Sequence, residues 1–272
     1  DNDLPVTDNS PGFGSVAKYN AVSLREASFD VASMHHDSTK AFVAETMGRH
    51  AGWIAASTAM AGNNENEGPH IILLPEIAFR EEAFLAEVER IRAKVGYCVV
   101  AVSEGLQNEA GKFVADAGTV DMFGHTQLGG AGDFISNLIK NKLGIKVHNA
   151  LPDYFQRSGR HIASKTDVEQ AIAVGKEAVH LAAKGLNGQM VTIVRDSDTP
   201  YSWSVGHTDI VNIANKEKVL PADYIREDGF HVTEAFRTYC QPLIEGELWP
   251  DYSGGIPVYS QLVRNLVPKK LG

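Results

Sequence analysis

The sequence predicts an α/β protein built on a parallel sheet, and three observations carry that prediction. Two apolar runs of strand length stand at 70–74 and 97–102. Between them, residues 81–95 are strongly periodic, with Phe84, Leu85, Val88, Ile91 and Val95 on one helical face. Each run ends abruptly in turn-forming or polar residues, Pro75 after the first and Ser103-Glu104-Gly105 after the second. Alternating buried strands and amphipathic helices signal βαβ units. A continuous apolar run such as 70–74 suits a central strand covered on both faces.

The other elements follow in order. Residues 1–13 are polar and contain Pro5, Pro11 and Gly12, hence loop. From 15 to about 33, Val16, Tyr19, Val22, Leu24 and Ala27 recur at helical spacing. A β-prone run, Phe42-Val43-Ala44, lies within 40–46 and ends at Met47-Gly48-Arg49. The alanine-rich stretch 52–61 reads as a helix buried on most sides. A helix is expected at 133–143, then a long one opened by Ser164 or Thr166. Thr166-Asp167-Val168-Glu169 fits a capping box, with Val168, Ala171, Ile172, Gly175, Val179 and Ala182 on one face. Residues 191–194 read as a strand, and from about 196 the chain is less regular and wraps the core.

Of 272 residues, 43% are hydrophobic and 22% charged, the balance of a soluble globular protein. A net charge of −9 argues against a nucleic-acid surface, but a few local cations suffice to hold a phosphorylated small molecule. No apolar run reaches the roughly 20 residues that span a bilayer, and no leader opens the chain, so no membrane contact and a cytoplasmic location are expected. Cys98 and Cys240 lack metal-ligand spacing, and Cys98 reads as a small buried hydrophobe. Adjacent His35 and His36 are expected to point apart on a helix. The opening residues, Asp1-Asn2-Asp3-Leu4-Pro5, read like the middle of a loop, so further sequence is expected upstream.

Ligands of open parallel sheets bind beyond the carboxyl ends of the strands. Met47-Gly48-Arg49 and Ser103-Glu104-Gly105 occupy such ends, and Tyr154-Phe155-Gln156-Arg157 forms a third polar cluster. Gly48 and Gly105 let the backbone approach a ligand. Arg49 and Arg157 can grip phosphate oxygens in bidentate fashion. Glu104 can accept hydrogen bonds from hydroxyls. The combination points to a phosphorylated, polyhydroxylated small molecule.

These segments resemble the 6-phosphofructokinase family in its long, pyrophosphate-dependent branch. Asp1-Asn2-Asp3 is similar to the end of that family's general-base loop, and Thr46-Met47-Gly48-Arg49-His50-Ala51-Gly52-Trp53 to its sugar-binding segment. Ser103-Glu104-Gly105 resembles its substrate carboxylate, and Tyr154-Phe155-Gln156-Arg157 its phosphate-gripping element. The resemblance covers essentially the whole chain, in family order. It implies a three-layer parallel-sheet phosphofructokinase-like fold with the N-terminal, donor-binding part absent. It also implies a division into residues 1–60 (remnant of the donor domain with base loop and Met47-Gly48-Arg49), 61–195 (sugar-phosphate domain with an insertion near 106–145) and 196–272 (wrapping segment).

The implied activity is reversible phosphoryl transfer from pyrophosphate to the C1 hydroxyl of fructose 6-phosphate, a step of glycolysis. ATP as donor, or a catalytically incomplete sugar-phosphate-binding fragment, are the alternatives. The implied catalytic residues are Asp1 as base, Asp3 beside it raising its pKa and helping to hold Mg2+, and Arg49 on the transferring phosphoryl group. Met47, Gly48 and Glu104 would hold the sugar, and Tyr154 and Arg157 its 6-phosphate. Lys40 would reach a neighbouring subunit's site in a homodimer or homotetramer, with Lys146 or His148 as a second such cation. Phe123-Gly124-His125-Thr126-Gln127-Leu128-Gly129-Gly130 superficially resembles the phosphate-gripping element, but Leu128 stands where an arginine is required. Each residue also has an ordinary use: Asp1 and Asp3 as a solvated chain end, Arg49 as a surface ion pair, Glu104 beside a helix cap, Tyr154 at a core edge. The order of the motifs at strand ends decides for the site.

Overall fold

The computed structural model describes residues 1–120, 126–128 and 130–270, with backbone alone at 116–120 and 126–128. Buried Phe13, Val16, Ala17, Leu24 and Val31 give α1 (Phe13–Met34) one continuous apolar face. β1 (Ala41–Thr46) follows, then α2 (Trp53–Ser57), which tightens into a 3₁₀ turn, Thr58–Ala61. All five residues of α2 are buried, as its alanine content predicts. β2 (Ile71–Leu73), α3 (Glu81–Val95) and β3 (Cys98–Ser103) form the expected βαβ unit. Gly96 closes α3 at φ 91°, a conformation that costs glycine little. Next come a hairpin of β4 (Asp116–Val120) and β5 (Thr126–Leu128), α4 (Ala131–Leu143), β6 (Val147–Ala150) and the short α5 (Tyr154–Ser158). α6 (Lys165–Ala183) leads to a long hairpin of β7 (Gln189–Asp198) and β8 (Tyr201–Asp209). α7 (Glu234–Cys240), β9 (Tyr252–Ser253) and β10 (Ile256–Pro257) end the chain.

The main sheet has the order β2-β3-β1-β6 with every pair parallel. Alternate residues serve opposite faces, as the strand period of two requires. In β3, Val99 and Ala101 join a core with Phe13, Trp53, Phe236 and Leu243, while Cys98, Val100 and Val102 join one with Phe84, Ile91, Ile135 and Ile139. Helices therefore cover both faces, giving the three layers of an α/β fold. β1, from the 1–60 segment, is an inner strand of the same sheet as β2 and β3.

Several expectations are corrected. β2 lies at the sheet edge, not its centre; its run is wholly apolar because the C-terminal segment covers the edge, with the Ile72 N–H donating to the Phe230 carbonyl at 2.8 Å. β6 was not foreseen, since its half-exposed residues carry no clean alternation. The segment after 196 opens with the end of β7 and then β8, whose Tyr201, Trp203 and Val205 alternate with polar residues against β7. The apolar line of α6 faces outward, with Ile172 52% and Val179 68% exposed. Buried polar groups set that rotation: Asp167 accepts from Gly12 N at 2.6 Å and from the Ser15 amide and hydroxyl, and Gln170 joins Asn9 and the Tyr201 hydroxyl. Ser164, not Thr166, caps α6, accepting from Asp167 N at 3.3 Å. His35 and His36 lie past the end of α1 with ring centroids 4.0 Å apart rather than pointing apart. Phe123, Gly124 and His125 lie outside the described residues.

The edge-covering segment also buries His231, whose Nε2 lies 3.2 Å from the Pro69 carbonyl. Burial, helped by Arg237 and Arg226, pushes its pKa down from 6.5 to about 4. The unfolded chain therefore takes up a proton at the ordinary value, while the folded chain resists until about pH 4. Stability from this group is complete above pH 6.5 and is lost as the pH falls through about 4. The melting temperature should drop across that window, and His231→Gln should flatten the drop. An unchanged slope in the variant, read by calorimetry, assigns the acid sensitivity elsewhere.

Candidate active site

β1 and β3 end in register, Thr46 opposite Ser103, so the segments that follow them emerge side by side. They are laced together. Glu104 N donates to the Thr46 carbonyl at 2.9 Å, Gly105 N to the Gly48 carbonyl at 3.2 Å, and the Ser103 hydroxyl to the same carbonyl at 2.6 Å. Gly48 N in turn donates to Glu104 Oε1 at 3.0 Å. This approach demands glycine, because a Cβ on Gly105 would stand 1.8 Å from the Arg49 carbonyl oxygen. Gly48 itself holds φ +126°, which side chains rarely adopt.

The loop beginning at Asp1 folds over these strand ends. Asp1 Oδ2 lies 3.4 Å from where a Cβ on Gly48 would stand. Asp1, Met47, Gly48, Arg49, Glu104 and Arg157 together line a cleft of about 430 Å³. Arg49 Nε is closed off from water and has no hydrogen-bond partner among the described residues. As a guanidinium on the cleft wall, Arg49 can meet an anionic oxygen. Arg157 rises from α5 with its guanidinium 5.4 Å from the centroid of the Tyr154 ring.

Three expected residues do not line the cleft. Tyr154 is 66% exposed and adjoins it only through Arg157. Asp3 sits behind Asp1, its carbonyl accepting from Lys218 N at 2.6 Å. Lys40 lies just before β1, at the end of the sheet away from the cleft, about 20 Å along the strand. Its ammonium donates to the carbonyls of His35 and His36 at 2.6 and 3.1 Å. Lys146 is at the same end, 3.0 Å from the Ser38 hydroxyl, and His148 is exposed on β6 opposite Phe42. Among the described residues no three His, Cys, Asp or Glu side chains converge as a metal site.

Other residues shape the site without having been singled out. Gln156, 2% exposed, accepts from Met47 N at 3.3 Å and Asn20 Nδ2 at 3.1 Å, tying α5 to the end of β1. Asn2 is fully buried, donating to the Tyr239 hydroxyl at 2.9 Å and accepting from Ser10 N at 2.9 Å. Glu45, one residue inside β1, accepts from Gly132 N at 2.7 Å and Gly130 N at 3.1 Å and so caps α4. Burial pushes its carboxyl pKa up, with nearby Glu104 and Asp133 adding to the effect and the two amides opposing it. The amides at Asn2 and Gln156 were visible inside the motifs. Tyr239 and Lys218 gave no local signal, since their partners lie more than 200 residues away.

The pattern of the family described as "Phosphofructokinase" matches residues 1–182. The chain belongs to the phosphofructokinase family. It is 54% identical over 271 residues to the pyrophosphate–fructose 6-phosphate 1-phosphotransferase of Halomonas elongata, covering all of this chain and 65% of that protein. To the enzyme so named in Methylococcus capsulatus it is 55% identical over 271 residues, covering 64% of that protein. The crystal structure of a pyrophosphate-dependent phosphofructokinase from Nitrosospira multiformis superposes with a TM-score of 0.90 at 51% identity, covering 100% of this chain and 64% of that one. The corresponding structure from Marinobacter aquaeolei gives 0.89 at 49% identity, covering 99% and 64%. The chain thus spans just under two thirds of the length of these relatives. Phosphofructokinase from Saccharomyces cerevisiae, at 23% identity and a TM-score of 0.57, shares the fold.

The glycine contact gives a direct test of this phosphofructokinase cleft. Gly105→Ala must push the Gly48–Arg49 backbone aside and should lower unfolding free energy by about 1–3 kcal/mol. A urea midpoint equal to that of the parent protein would show that the two segments are not packed this closely.

Proposed function

We propose that this chain supplies the acceptor side of a pyrophosphate-dependent 6-phosphofructokinase, which makes fructose 1,6-bisphosphate from fructose 6-phosphate. The observation that carries the reading is the Asp1 carboxylate set over Gly48, in a cleft whose other charged walls are Glu104, Arg49 and Arg157. Arg157, stacked on Tyr154, grips the 6-phosphate. Glu104, with Met47 and Gly48, receives the sugar hydroxyls and orients C1.

Asp1 takes the proton from the C1 hydroxyl as that oxygen bonds to the terminal phosphorus of pyrophosphate. The bridging P–O bond breaks, and inorganic phosphate leaves with its electrons. The Arg49 guanidinium on the cleft wall stabilises charge on the transferring phosphoryl group, which is where catalysis of this reaction mostly resides. The Asp3 carboxylate is a hard oxygen donor of the kind Mg2+ takes, but it stands outside the cleft lining, so it would hold the ion through water while substrate phosphates supply the direct contacts. Bound there, Mg2+ would neutralise phosphate charge.

Pyrophosphate is favoured over ATP by the names of the relatives above 50% identity. Lys40, remote from this cleft, is assigned to a partner's cleft in a homodimer or homotetramer. The site has no use for nucleic acid or membrane, and among the described residues no helix is long and apolar enough to cross a bilayer. A cytoplasmic location fits these substrates.

Steady-state kinetics of the enzyme with pyrophosphate test the assignment. Asp1→Ser should lower kcat by about 100-fold or more with a small change in KM for fructose 6-phosphate, and Arg157→Ala should raise that KM by about tenfold. Turnover with ATP and none with pyrophosphate would overturn the donor. An unchanged kcat in the first variant would remove the base, and an unchanged KM in the second would remove Arg157 from the phosphate.

A further inference from the structure

The loop that carries Asp1 has no strand or helix of its own through Ser10. It turns at Val6 with φ +69°, a left-handed conformation that a β-branched residue resists. Such a residue persists only where its surroundings over-determine it. Lys218 brackets the turn on both sides. Its main-chain N–H donates to the Asp3 carbonyl at 2.6 Å, and its ammonium donates to the carbonyls of Thr7 at 3.1 Å and Asp8 at 2.8 Å. Lys218 is itself fixed: its carbonyl accepts from Trp53 Nε1 at 2.7 Å, and its ammonium lies 5.0 Å from the centroid of that ring. Beside it the Tyr239 hydroxyl donates to the Asp8 carbonyl at 2.8 Å and accepts from Asn2.

We infer that Lys218, assisted by the Tyr239 hydroxyl, is the positioning residue that holds the strained Val6 turn and thereby fixes Asp1 over the cleft. Lys218 is not among the residues that line the cleft, and it lies outside residues 1–182 that match the family pattern. The inference rests on the assignment of Asp1 as base. An ammonium is suited to the task because it presents three donors on a flexible stem, enough to hold successive carbonyls after the turn. Burial draws its pKa down to about 8, against the opposing charges of Asp8 and Asp3, so the cation is placed there at a cost.

The test compares Lys218→Met, which keeps the stem and removes the cation, with Asp1→Ser in steady-state kinetics of the enzyme. Trp53 still holds the backbone at 218, so the substitution isolates the ammonium. Lys218→Met should lower kcat at least tenfold while KM for fructose 6-phosphate stays within twofold. Adding Val6→Gly, which relaxes the turn, should recover several-fold of that kcat. Tyr239→Phe removes one oxygen without emptying the core, and should lower kcat several-fold at constant KM even where Lys218→Met does not fold. If Asp1→Ser abolishes turnover while both Lys218→Met and Tyr239→Phe retain the parent kcat, the positioning role is wrong and the base stands. If Asp1→Ser leaves kcat unchanged, the base assignment fails independently of Lys218. Parallel losses in kcat and KM that Val6→Gly does not relieve would reduce Lys218 to general structural support.

Discussion

The parallel pairing of β1 with β3 is the constraint on which the site depends. Their shared register ends both strands at one level, Thr46 against Ser103. The backbone hydrogen bonds of the ladder then continue past the strands into Gly48 and Gly105, so the cleft-lining segments are an extension of the sheet rather than free loops. A one-residue slip would reverse the faces of Val43 and Ala44 between the two cores. The apolar cores thus fix, through register, which polar residues arrive together at the strand ends.

Buried carboxylates extend this control to the helices. Glu45 and Asp167 each accept backbone N–H groups at a helix N-terminus, of α4 and α1 respectively. Those N–H groups have no partner within their own helices, and the positive end of the helix favours an anion. Both carboxyl pKa values are nevertheless raised, chiefly by burial, which outweighs the hydrogen bonds. The arrangement is therefore one of position more than of strength. Glu45 ties α4 to the strand that delivers Gly48, and Asp167 ties α6 to the helix that starts beside Asp1. Gln156 performs the same service without charge, coupling the α5 helix of Arg157 to Met47.

What the sequence disclosed was what local pattern determines. Apolar runs, a 3.6-residue period and turn residues located β3, α3 and the polar ends of β1 and β3, hence Met47, Gly48, Arg49 and Glu104, four of the residues that line the cleft. Features decided by distant partners stayed hidden. The rotation of α6 reversed because Asp167 and Gln170 find buried partners on α1, Asn9 and β8, which no hydrophobic count registers. β2 was read as central because an edge covered by chain from residues 225–232 looks, in sequence, like a buried strand. The alternation of Tyr201, Trp203 and Val205 was present but short, and the proline at 200 broke the appearance of continuity.

The two walls of the cleft are consequently built on different principles. Gly48, Arg49 and Glu104 are set by sheet hydrogen bonds, which are numerous and cooperative, so no single side chain determines their place. Asp1 belongs to a loop whose backbone is satisfied from outside. Lys218 and Tyr239 supply donors to its carbonyls, and Arg195 grips Asp8 through paired contacts of 3.1 Å while stacking on the Tyr239 ring. All three lie beyond residue 182, outside the stretch that matches the family pattern. The position of Asp1, the proposed base, is therefore the part of the site most exposed to change in the C-terminal segment. Substitutions there can shift Asp1 without touching the wall of Gly48, Arg49 and Glu104, because the two walls share a cleft but not a support.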